Sequence, residues 1–558
     1  MRKMLALLCS LSLTTSLTAF AAPPDAGSIL REQQQGPRFP DRLPKPDESA
    51  VERPSLTDSG VKVVVKAFRC TGIASMATES ELQKILKDAV GKEQGLTDLQ
   101  RLAGLITGYL RGKGFFLARA YLPKQDITSG VVEIAVIGGR VDGSADIRAQ
   151  EPRSIRDRVL RAMVDSAVKT GEVLNESDLE RVLMLLNDLP GITARGTLER
   201  GATPGSTKVV VDVSEGPLLA GGLSVDNYGN RYTGVWRGTG SATVNDPLGI
   251  GDQLSLSYSQ AEGLYQGRVG YSAQLHPRGL RGGISYTSLY YELGKEFKSL
   301  NYSGHANTIG ANISYPVLRS RPFSLWGNLS YEYRMFNDNG ALVSNRNVHA
   351  VTADLTSSGY DTFNGGGLTS SRLAVTTGSI DTVTANASSS YFKLGYSVSR
   401  LQQLIGDVSL FVSANGQLAN NNLDSSEKFI LGGPSGVRSY PVGEANGDDG
   451  HSFTTELRYD VPVKVSYGAL QMIGFLDAGN ITLHQTEWTN SVTTATGKNN
   501  YWLTGSGLGV NMSKSSLYSL RATWAHTLGD NAGRSNNGAN ADGLSEANRF
   551  WLQASVWF

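Results

Sequence analysis

Beyond residue 217 the chain is dominated by alternating apolar and polar positions, with almost no helical periodicity. Five alternating apolar faces are Leu254, Leu256 and Tyr258; Val269, Tyr271, Ala273 and Leu275; Ile309, Ala311, Ile313 and Tyr315; Leu325, Gly327, Leu329, Tyr331 and Tyr333; and Val408, Leu410, Val412 and Ala414. One apolar and one polar face suit a strand with lipid outside and water inside. A strand of about 10 residues with its connection takes roughly 20 residues, so residues 218–558 predict a transmembrane antiparallel β-barrel of about 16 strands.

The last predicted strand favours this barrel over a large soluble β-sandwich or propeller, which would also alternate. Five residues share one apolar face and end on an aromatic side chain: Phe550, Leu552, Ala554, Val556 and Phe558. This pattern resembles the C-terminal signal that outer-membrane assembly machinery reads, with Phe558 as its final residue. We therefore expect an outer-membrane protein that contacts membrane lipid and, during biogenesis, the barrel assembly machinery.

Two similar units, each with helices bracketed by strands, come before the barrel. In the first unit, residues 61–139, strands are predicted at 61–65, 118–122 and 131–137, and helices at 79–90 and 97–112. In the second unit, residues 140–217, a strand lies near Ile147, helices span 154–168 and 175–189 with Ser154 and Asn175 as N-caps, and strands span 192–199 and 208–213. The repeated β-α-α-β-β order predicts two α+β domains.

The first 21 residues have the features of a secretory signal peptide. These features are the basic pair Arg2 and Lys3, the apolar run 4–13 and the small-residue cleavage site Ala19-Phe20-Ala21. Cys9 lies within this peptide, and the bulky Leu8 before it disfavours lipid attachment. The mature chain then keeps only Cys70, so an intramolecular disulfide is excluded.

A short helix and a linker are predicted between the signal peptide and the first domain. Asp25 can cap a helix that ends at Gln35, so we assign residues 22–35 to this helix. Residues 36–60 contain five prolines among charged residues, a composition typical of an extended linker. After residue 22 the sequence contains no run of about 18 apolar residues, so transmembrane helices are not predicted.

Charge and motifs argue against nucleic-acid binding and covalent catalysis. The net charge is +1, and the strongly basic stripe that phosphate neutralisation needs is missing. The sequence has no G-x-x-x-x-G-K-[ST], G-x-S-x-G or H-E-x-x-H motif, and its six histidines are scattered without ligand spacing. We expect no enzyme activity, cofactor or metal site. An outer-membrane phospholipase stays an alternative, because only the fold could assemble its Ser/His pair.

Two short motifs in the predicted barrel carry the strongest signal. Residues 427–440 read E-K-F-I-L-G-G-P-S-G-V-R-S-Y, and the core of this stretch is Gly436, Val437, Arg438, Ser439 and Tyr440. The second motif, F-x-D-x-G, is formed by Phe475, Asp477 and Gly479. They resemble the sixth extracellular loop and the barrel-wall motif of the superfamily that includes BamA and the two-partner secretion (TpsB) transporters. The two preceding units resemble polypeptide-transport-associated (POTRA) domains, so the resemblance covers nearly the whole mature chain.

The resemblance implies that the loop around residues 427–450 folds back into the barrel lumen and that Arg438 contacts Asp477. Strand alternation supports this, because it places the three residues of the second motif together on the lumenal face. Gly479 would leave room for another backbone. Ser439 replaces the usual glycine, which would strain the loop tip if that position needs a positive φ. Without the resemblance, Arg438 would be a solvated loop charge and Asp477 an ordinary lumenal carboxylate.

For function, the resemblance implies a translocator that recognises and secretes a cognate exoprotein of the haemolysin, adhesin or contact-dependent inhibition toxin class. The helix at 22–35 would plug the lumen at rest, although a frayed terminus is the alternative. Edge strands of the POTRA-like domains would accept the unfolded client by β-augmentation. A BamA-like insertase is the nearer rival, but such proteins typically carry more POTRA domains. A passive porin would not need these domains.

Overall fold

The computed structural model describes residues 23–34, 62–73, 75–151, 153–340, 343–382, 387–462, 467–514 and 517–558. The signal peptide at 1–21 and the linker at 36–60, both expected from the sequence, lie outside these residues. Within the described part of the chain, no helix is long and apolar enough to cross a membrane.

A short helix, α1 (Ala26–Gln34), precedes the first α+β domain. The elements of this domain are β1 (Lys62–Val64), β2 (Ala67–Thr71), α2 (Glu79–Leu86), β3 (Glu93–Gly95), α3 (Leu96–Gly112), β4 (Arg119–Tyr121) and β5 (Val131–Ile137). One sheet has the order β2-β5-β4, while β1 and β3 pair separately. α2 begins at a capping box, in which Thr78 and Glu81 each accept a hydrogen bond from the other's backbone N–H.

The second domain repeats the helix pair on a larger sheet. Its elements are β6 (Arg140–Val141), β7 (Asp146–Ala149), α4 (Asp157–Asp165), α5 (Glu176–Asn187), β8 (Ile192–Arg200) and β9 (Ser206–Glu215). β9 is the central strand, because β6 and β7 pair with it in parallel along one edge and β8 pairs with it in antiparallel along the other. Each domain has its own buried apolar cluster.

The two helix caps predicted in the second domain have different outcomes. The Asn175 side chain accepts a hydrogen bond from the Ser177 backbone at 3.0 Å, so this cap is confirmed. The prediction for Ser154 is wrong, because α4 begins only at Asp157. The Ser154 N–H instead donates to the Glu215 carboxylate at 2.8 Å, which keeps this segment outside the helix.

Sixteen antiparallel strands form a closed barrel, as the alternating pattern predicts. The strands are β10 (Leu219–Asp226), β11 (Arg237–Asn245), β12 (Gln253–Ala261), β13 (Leu264–His276), β14 (Leu280–Glu292), β15 (Ser303–Arg319), β16 (Phe323–Asn339), β17 (Ser344–Asp361), β18 (Gly367–Ile380), β19 (Ser390–Ile405), β20 (Val408–Ala419), β23 (Asp449–Asp460), β24 (Ala469–Thr482), β25 (Asn500–Lys514), β26 (Tyr518–Thr527) and β27 (Asn548–Trp557). Two further strands, β21 (Phe429–Ile430) and β22 (Asn446–Gly447), pair within the loop between β20 and β23. The barrel closes where β10 pairs with β27, and the backbones of Gly221 and Phe558 exchange hydrogen bonds of 2.9 and 3.0 Å beside this seam.

The barrel has an apolar outer face and two dissimilar ends. Leu256 and Tyr258, from one predicted apolar face, are 46% and 50% exposed. The glycine-, serine- and threonine-rich stretch 337–390, which the sequence could divide in several ways, supplies the end of β16, all of β17 and β18, and the start of β19.

Because the α+β domains lead directly into β10, the turns after β11, β13 and β15 lie on their side of the barrel. The loop between β20 and β23 starts from the opposite end.

Candidate functional site

The loop between β20 and β23 has a compact tip that packs inside the barrel. The Val437 N–H donates to the Leu431 carbonyl at 2.8 Å, and the Gly433 N–H donates to the Tyr440 carbonyl at 3.1 Å. Gly436 is required here, because a Cβ at this position would collide with the Leu431 carbonyl oxygen. Val437 and Tyr440 are buried, with 0% and 1% exposure. The tip is therefore a folded unit that presents its remaining residues in fixed directions.

Arg438 extends from this tip to the barrel wall. Its Nε and Nη2 donate to the two carboxylate oxygens of Asp477 on β24, each at 2.8 Å, and its backbone N–H donates to Asp477 at 3.1 Å. Its Nη1 donates to Glu456 on β23 at 2.7 Å, and its guanidinium carbon lies 3.5 Å from the centre of the Phe475 ring. Trp551 on β27 donates to the Arg438 carbonyl at 2.7 Å. One loop residue thus binds three strands, through a bidentate ion pair of the strong, charge-assisted kind.

Ser439 occupies its position without backbone strain. Its φ is not positive, whereas strain was expected only if this position needed a positive φ. The side chain is fully buried and lies against Gly505, where a Cβ would collide with the Ser439 Oγ. Serine therefore fits at the loop tip because β25 has no side chain at the facing position. The sequence contains no signal for this pairing.

Gly479 makes room for a loop side chain and for the backbone of the neighbouring strand. A Cβ at Gly479 would collide with the Leu431 side chain of the loop, and it would also lie 2.9 Å from the His451 carbonyl oxygen on β23. Phe475 is accommodated in the same way by Gly507, because a Cβ there would collide with its ring. The second motif and its neighbouring glycines therefore form a surface that is complementary in shape to the loop tip.

Helix α1 lies inside the barrel and is almost completely enclosed. Ile29 and Leu30 are 0% and 3% exposed and pack among apolar side chains of the barrel strands and extracellular loops. Asp25 caps the helix as predicted, since its Oδ1 accepts a hydrogen bond from the Ser28 N–H at 2.9 Å. On the other side of the helix, Glu32 accepts a hydrogen bond from Asn230 at 3.0 Å.

A cluster around Arg346 joins α1, the barrel wall and the start of the loop. Arg346 on β17 forms ion pairs with Asp25 beside α1 at 2.8 Å, with Asp338 on β16 at 2.7 Å and with Asp424 at 2.8 Å. Asp338 also accepts the Ala26 N–H at 2.8 Å. The guanidinium is 2% exposed, so these interactions are shielded from water. Sequence reasoning missed this cluster, because its members are far apart in the chain.

A second cluster around Glu427 joins the same three parts of the molecule. Glu427 is 2% exposed and forms ion pairs with Lys393 on β19, at 2.6 Å, and with Arg334 on β16. The neighbouring loop residue Lys428 pairs with Asp448 at 2.8 Å, and its carbonyl accepts a hydrogen bond from Arg31 of α1 at 3.2 Å. The helix and the loop segment that precedes the tip are therefore attached to the wall and to each other.

The described part of the chain has one cysteine and no cluster of metal-ligating side chains. It contains no group of three or more His, Cys, Asp or Glu residues that could hold a metal ion. Cys70 is a free, buried thiol, and burial, with a smaller contribution from Glu79, raises its pKa to about 11. The thiol is therefore protonated at neutral pH and unreactive.

Comparison with known proteins assigns the chain to a family. A family model described as "Haemolysin secretion/activation protein ShlB/FhaC/HecB" matches residues 205–512, more than half of the chain. The chain belongs to this family. A second model, "POTRA domain, ShlB-type", matches residues 63–139. As a member of the ShlB/FhaC/HecB family, the protein is an outer-membrane transporter that secretes a partner protein, with its POTRA domains in the periplasm.

Individual relatives agree with this assignment. The heme/hemopexin transporter protein HuxB of Haemophilus influenzae (strain 86-028NP) is 30% identical, over 95% of this chain and 94% of that protein. The outer membrane transporter CdiB of Dickeya dadantii (strain 3937) is 23% identical, over 70% of this chain and 71% of that protein. These relatives are named as transporters and not as enzymes.

Solved structures share the fold. CdiB from Escherichia coli has a TM-score of 0.74 at 19% identity and covers 96% of both chains. BamA from Haemophilus ducreyi lacking POTRA domains 1–3 has a TM-score of 0.53 at 15% identity, over 89% of this chain and 100% of that one. At these identities the likeness shows the architecture alone, so the BamA resemblance does not argue for an insertase.

Proposed function

We propose that this transporter binds an unfolded exoprotein on its second POTRA domain and passes it through the barrel after α1 leaves the lumen and the loop rearranges. The observation that carries this proposal is how the lumen is filled. α1 and the loop are attached to the wall by apolar packing and by ion pairs centred on Arg346, Glu427 and Arg438. Side-chain pairs can exchange partners, whereas the hydrogen-bonded strands around them form a continuous ladder that must stay closed in lipid.

The first POTRA domain offers little free sheet edge to a client. Helix side chains cover backbone groups at both outer strands. The covering hydrogen bonds are Cys70 to Glu79 (3.4 Å) and Gln83 to Phe68 (2.8 Å) at β2, and Ala120 to Thr107 (2.9 Å) and Arg111 to Ala118 (3.2 Å) at β4. A strand that arrived at either edge would have to displace these bonds.

The outer edge of β8, in the second POTRA domain, is open. The Asn187 side chain accepts a hydrogen bond from the Ala194 N–H at 3.0 Å and donates one to the Ala194 carbonyl at 2.9 Å. The backbone N–H and carbonyl groups of the even-numbered residues of β8 therefore point away from β9. Beyond Ala194, the backbone groups of these residues have no hydrogen-bond partner in the described part of the chain. Residues 195–200 are all exposed. An extended client can add to such an edge through main-chain hydrogen bonds.

β8 also starts beside the barrel entrance. Gly191, directly before it, lies against Asn245 at the periplasmic end of β11, where an added Cβ would be 3.2 Å from the Asn245 Cβ. The same domain is fixed to the turn after β15, since Arg319 pairs with Asp188 at 2.6 Å. A client strand paired with β8 would therefore run along a surface that is held at the pore mouth.

Replacing Leu198 with proline is expected to weaken client binding by roughly five- to tenfold, because it removes one outward N–H, worth about 1 kcal/mol, and crowds the edge. The β8–β9 pairing should survive, since the N–H of residue 198 points away from β9. Binding of the unfolded exoprotein to the full-length transporter in detergent measures the effect. The matched control is Leu198→Ala, which keeps the N–H. Equal binding by the proline and alanine variants would place the client elsewhere.

Deleting residues 23–35 is expected to increase ion conductance severalfold, because α1 fills part of the lumen, where Asp25 pairs with Arg346 on the wall and Arg31 donates to the Lys428 carbonyl of the loop. Single-channel recordings in planar bilayers measure the change. Resistance of the barrel to unfolding in unheated detergent shows that the variant is assembled. An unchanged conductance in an assembled barrel would mean that the helix does not block the pore.

We infer that the client is an exoprotein connected with haem acquisition, out of the exoprotein classes that this family could secrete. The relatives named as heme/hemopexin transporters match 85–95% of the chain at 29–31% identity, whereas the relatives named as CdiB transporters match 38–70% of the chain at 23–30% identity. This difference favours a haem- or hemopexin-binding exoprotein over the contact-dependent inhibition toxins.

A further inference from the structure

A cavity of about 650 Å³ lies in the lumen beside the C-terminal end of α1. Its wall is rich in hydroxyl and amide side chains, and its charged residues are unevenly divided. The cations are Arg31, Arg237, Arg268, Arg334, Arg372 and Lys393, and the carboxylates are Glu332 and Glu427. Positive charge therefore predominates in the lining of this cavity.

Nearby carboxylates neutralise part of this charge but not all of it. Arg237 pairs with Asp226 at 2.9 Å, and Arg372 pairs with Asp354 at 3.2 Å. Arg334 and Lys393 share Glu427, and Arg334 also contacts Glu332. Arg268 is exposed to the cavity and has no ion-pair partner among the described residues. The cations of the lining thus outnumber the carboxylates even when these neighbours are counted.

The excess belongs to the barrel wall and would remain if the helix left. Five of the six cations lie on strands β11, β13, β16, β18 and β19, and only Arg31 would leave with α1. The carboxylates on the strands are Asp226, Glu332 and Asp354. Glu427 belongs to the loop, so withdrawal of the loop would remove one more negative charge from the chamber.

We infer that this chamber makes the open lumen selective for anions. Cations fixed on low-dielectric walls raise the local concentration of counter-ions, and arginine or lysine rings line anion-conducting pores. The serine, threonine and glutamine side chains between them add neutral donors and acceptors that suit hydrated ions. The same field would favour acidic over basic stretches of a chain in transit.

Reversal potentials across a KCl gradient test the inference, with the full-length protein and the variant lacking residues 23–35 in planar bilayers. We expect a chloride-to-potassium permeability ratio above one for both. The double variant Arg268→Gln/Arg372→Gln should lower that ratio by roughly twofold or more. The control is Arg278→Gln/Arg321→Gln, which removes two cations from periplasmic turns outside the chamber and should leave the ratio close to that of the parent.

A ratio at or below one in the parent channels, or an equal effect of the two double variants, would overturn the inference. This outcome is independent of the proposal that α1 plugs the pore. Conductance reports on the plug, whereas the permeability ratio reports on the wall charge in whatever pore is open.

Discussion

Replacing Arg438 with alanine is expected to reduce secretion of the partner protein at least about tenfold while the barrel still inserts. The substitution removes the one cation that binds both Asp477 and Glu456, which are 2% and 4% exposed. Breaking a buried pair by removing one partner typically costs about 3–5 kcal/mol, because the other charge stays buried. The substitution therefore destabilises the docking of the loop tip and not the barrel, because Arg438 belongs to no barrel strand.

Secreted partner protein in the culture medium, compared with barrel in purified outer membranes, separates the two effects. Arg438→Lys should restore secretion only in part, because an ammonium keeps the charge but not the planar bidentate geometry. Arg278→Ala, in a periplasmic turn, is the matched control for loss of an arginine. Normal export by a stably inserted Arg438→Ala variant would show that the contact with Asp477 has only a structural role.

The barrel could be predicted because it depends on local pattern, and the loop contact could be predicted because its two motifs resemble those of a known superfamily. A period of two residues identifies strands and places one apolar face outward, whatever the strand pairs with. The same alternation placed Asp477 on the lumenal side, and the loop motif then supplied Arg438 as its partner. The strand count followed from length alone, since each strand and its turn consume a similar number of residues.

The remaining lumenal contacts could not be predicted, because alternation shows which side chains face inward but not which of them meet. Arg346 meets Asp25 and Asp424 only once the sheet has closed and the loop has folded back. The fit of Ser439 against Gly505 depends on the same closure. The wrong cap at Ser154 has a similar origin, since Glu215 binds its N–H only after β9 has joined the sheet.

Deleting residues 61–216 is expected to stop export of the partner protein while the barrel still inserts. The deletion removes both α+β domains, including the open edge of β8, whereas every barrel strand lies beyond residue 217. The sixteen-strand ladder keeps all its hydrogen bonds, because β10 pairs only with β11 and β27. Without the domains an unfolded client has no receptor at the pore mouth, so export should fall to the level of a strain that lacks the transporter.

Secretion of the protein encoded beside the transporter, with wild-type and deleted chains present in equal amounts, measures the result. Loss of export from an inserted barrel supports recognition by the POTRA domains and identifies the client, whose binding of haem or hemopexin can then be assayed directly. The rival insertase has a different signature, because it serves other barrels. If export persists in the deletion variant, and other outer-membrane proteins fail to assemble in a strain without the transporter, the barrel acts as an insertase and the receptor proposal is wrong.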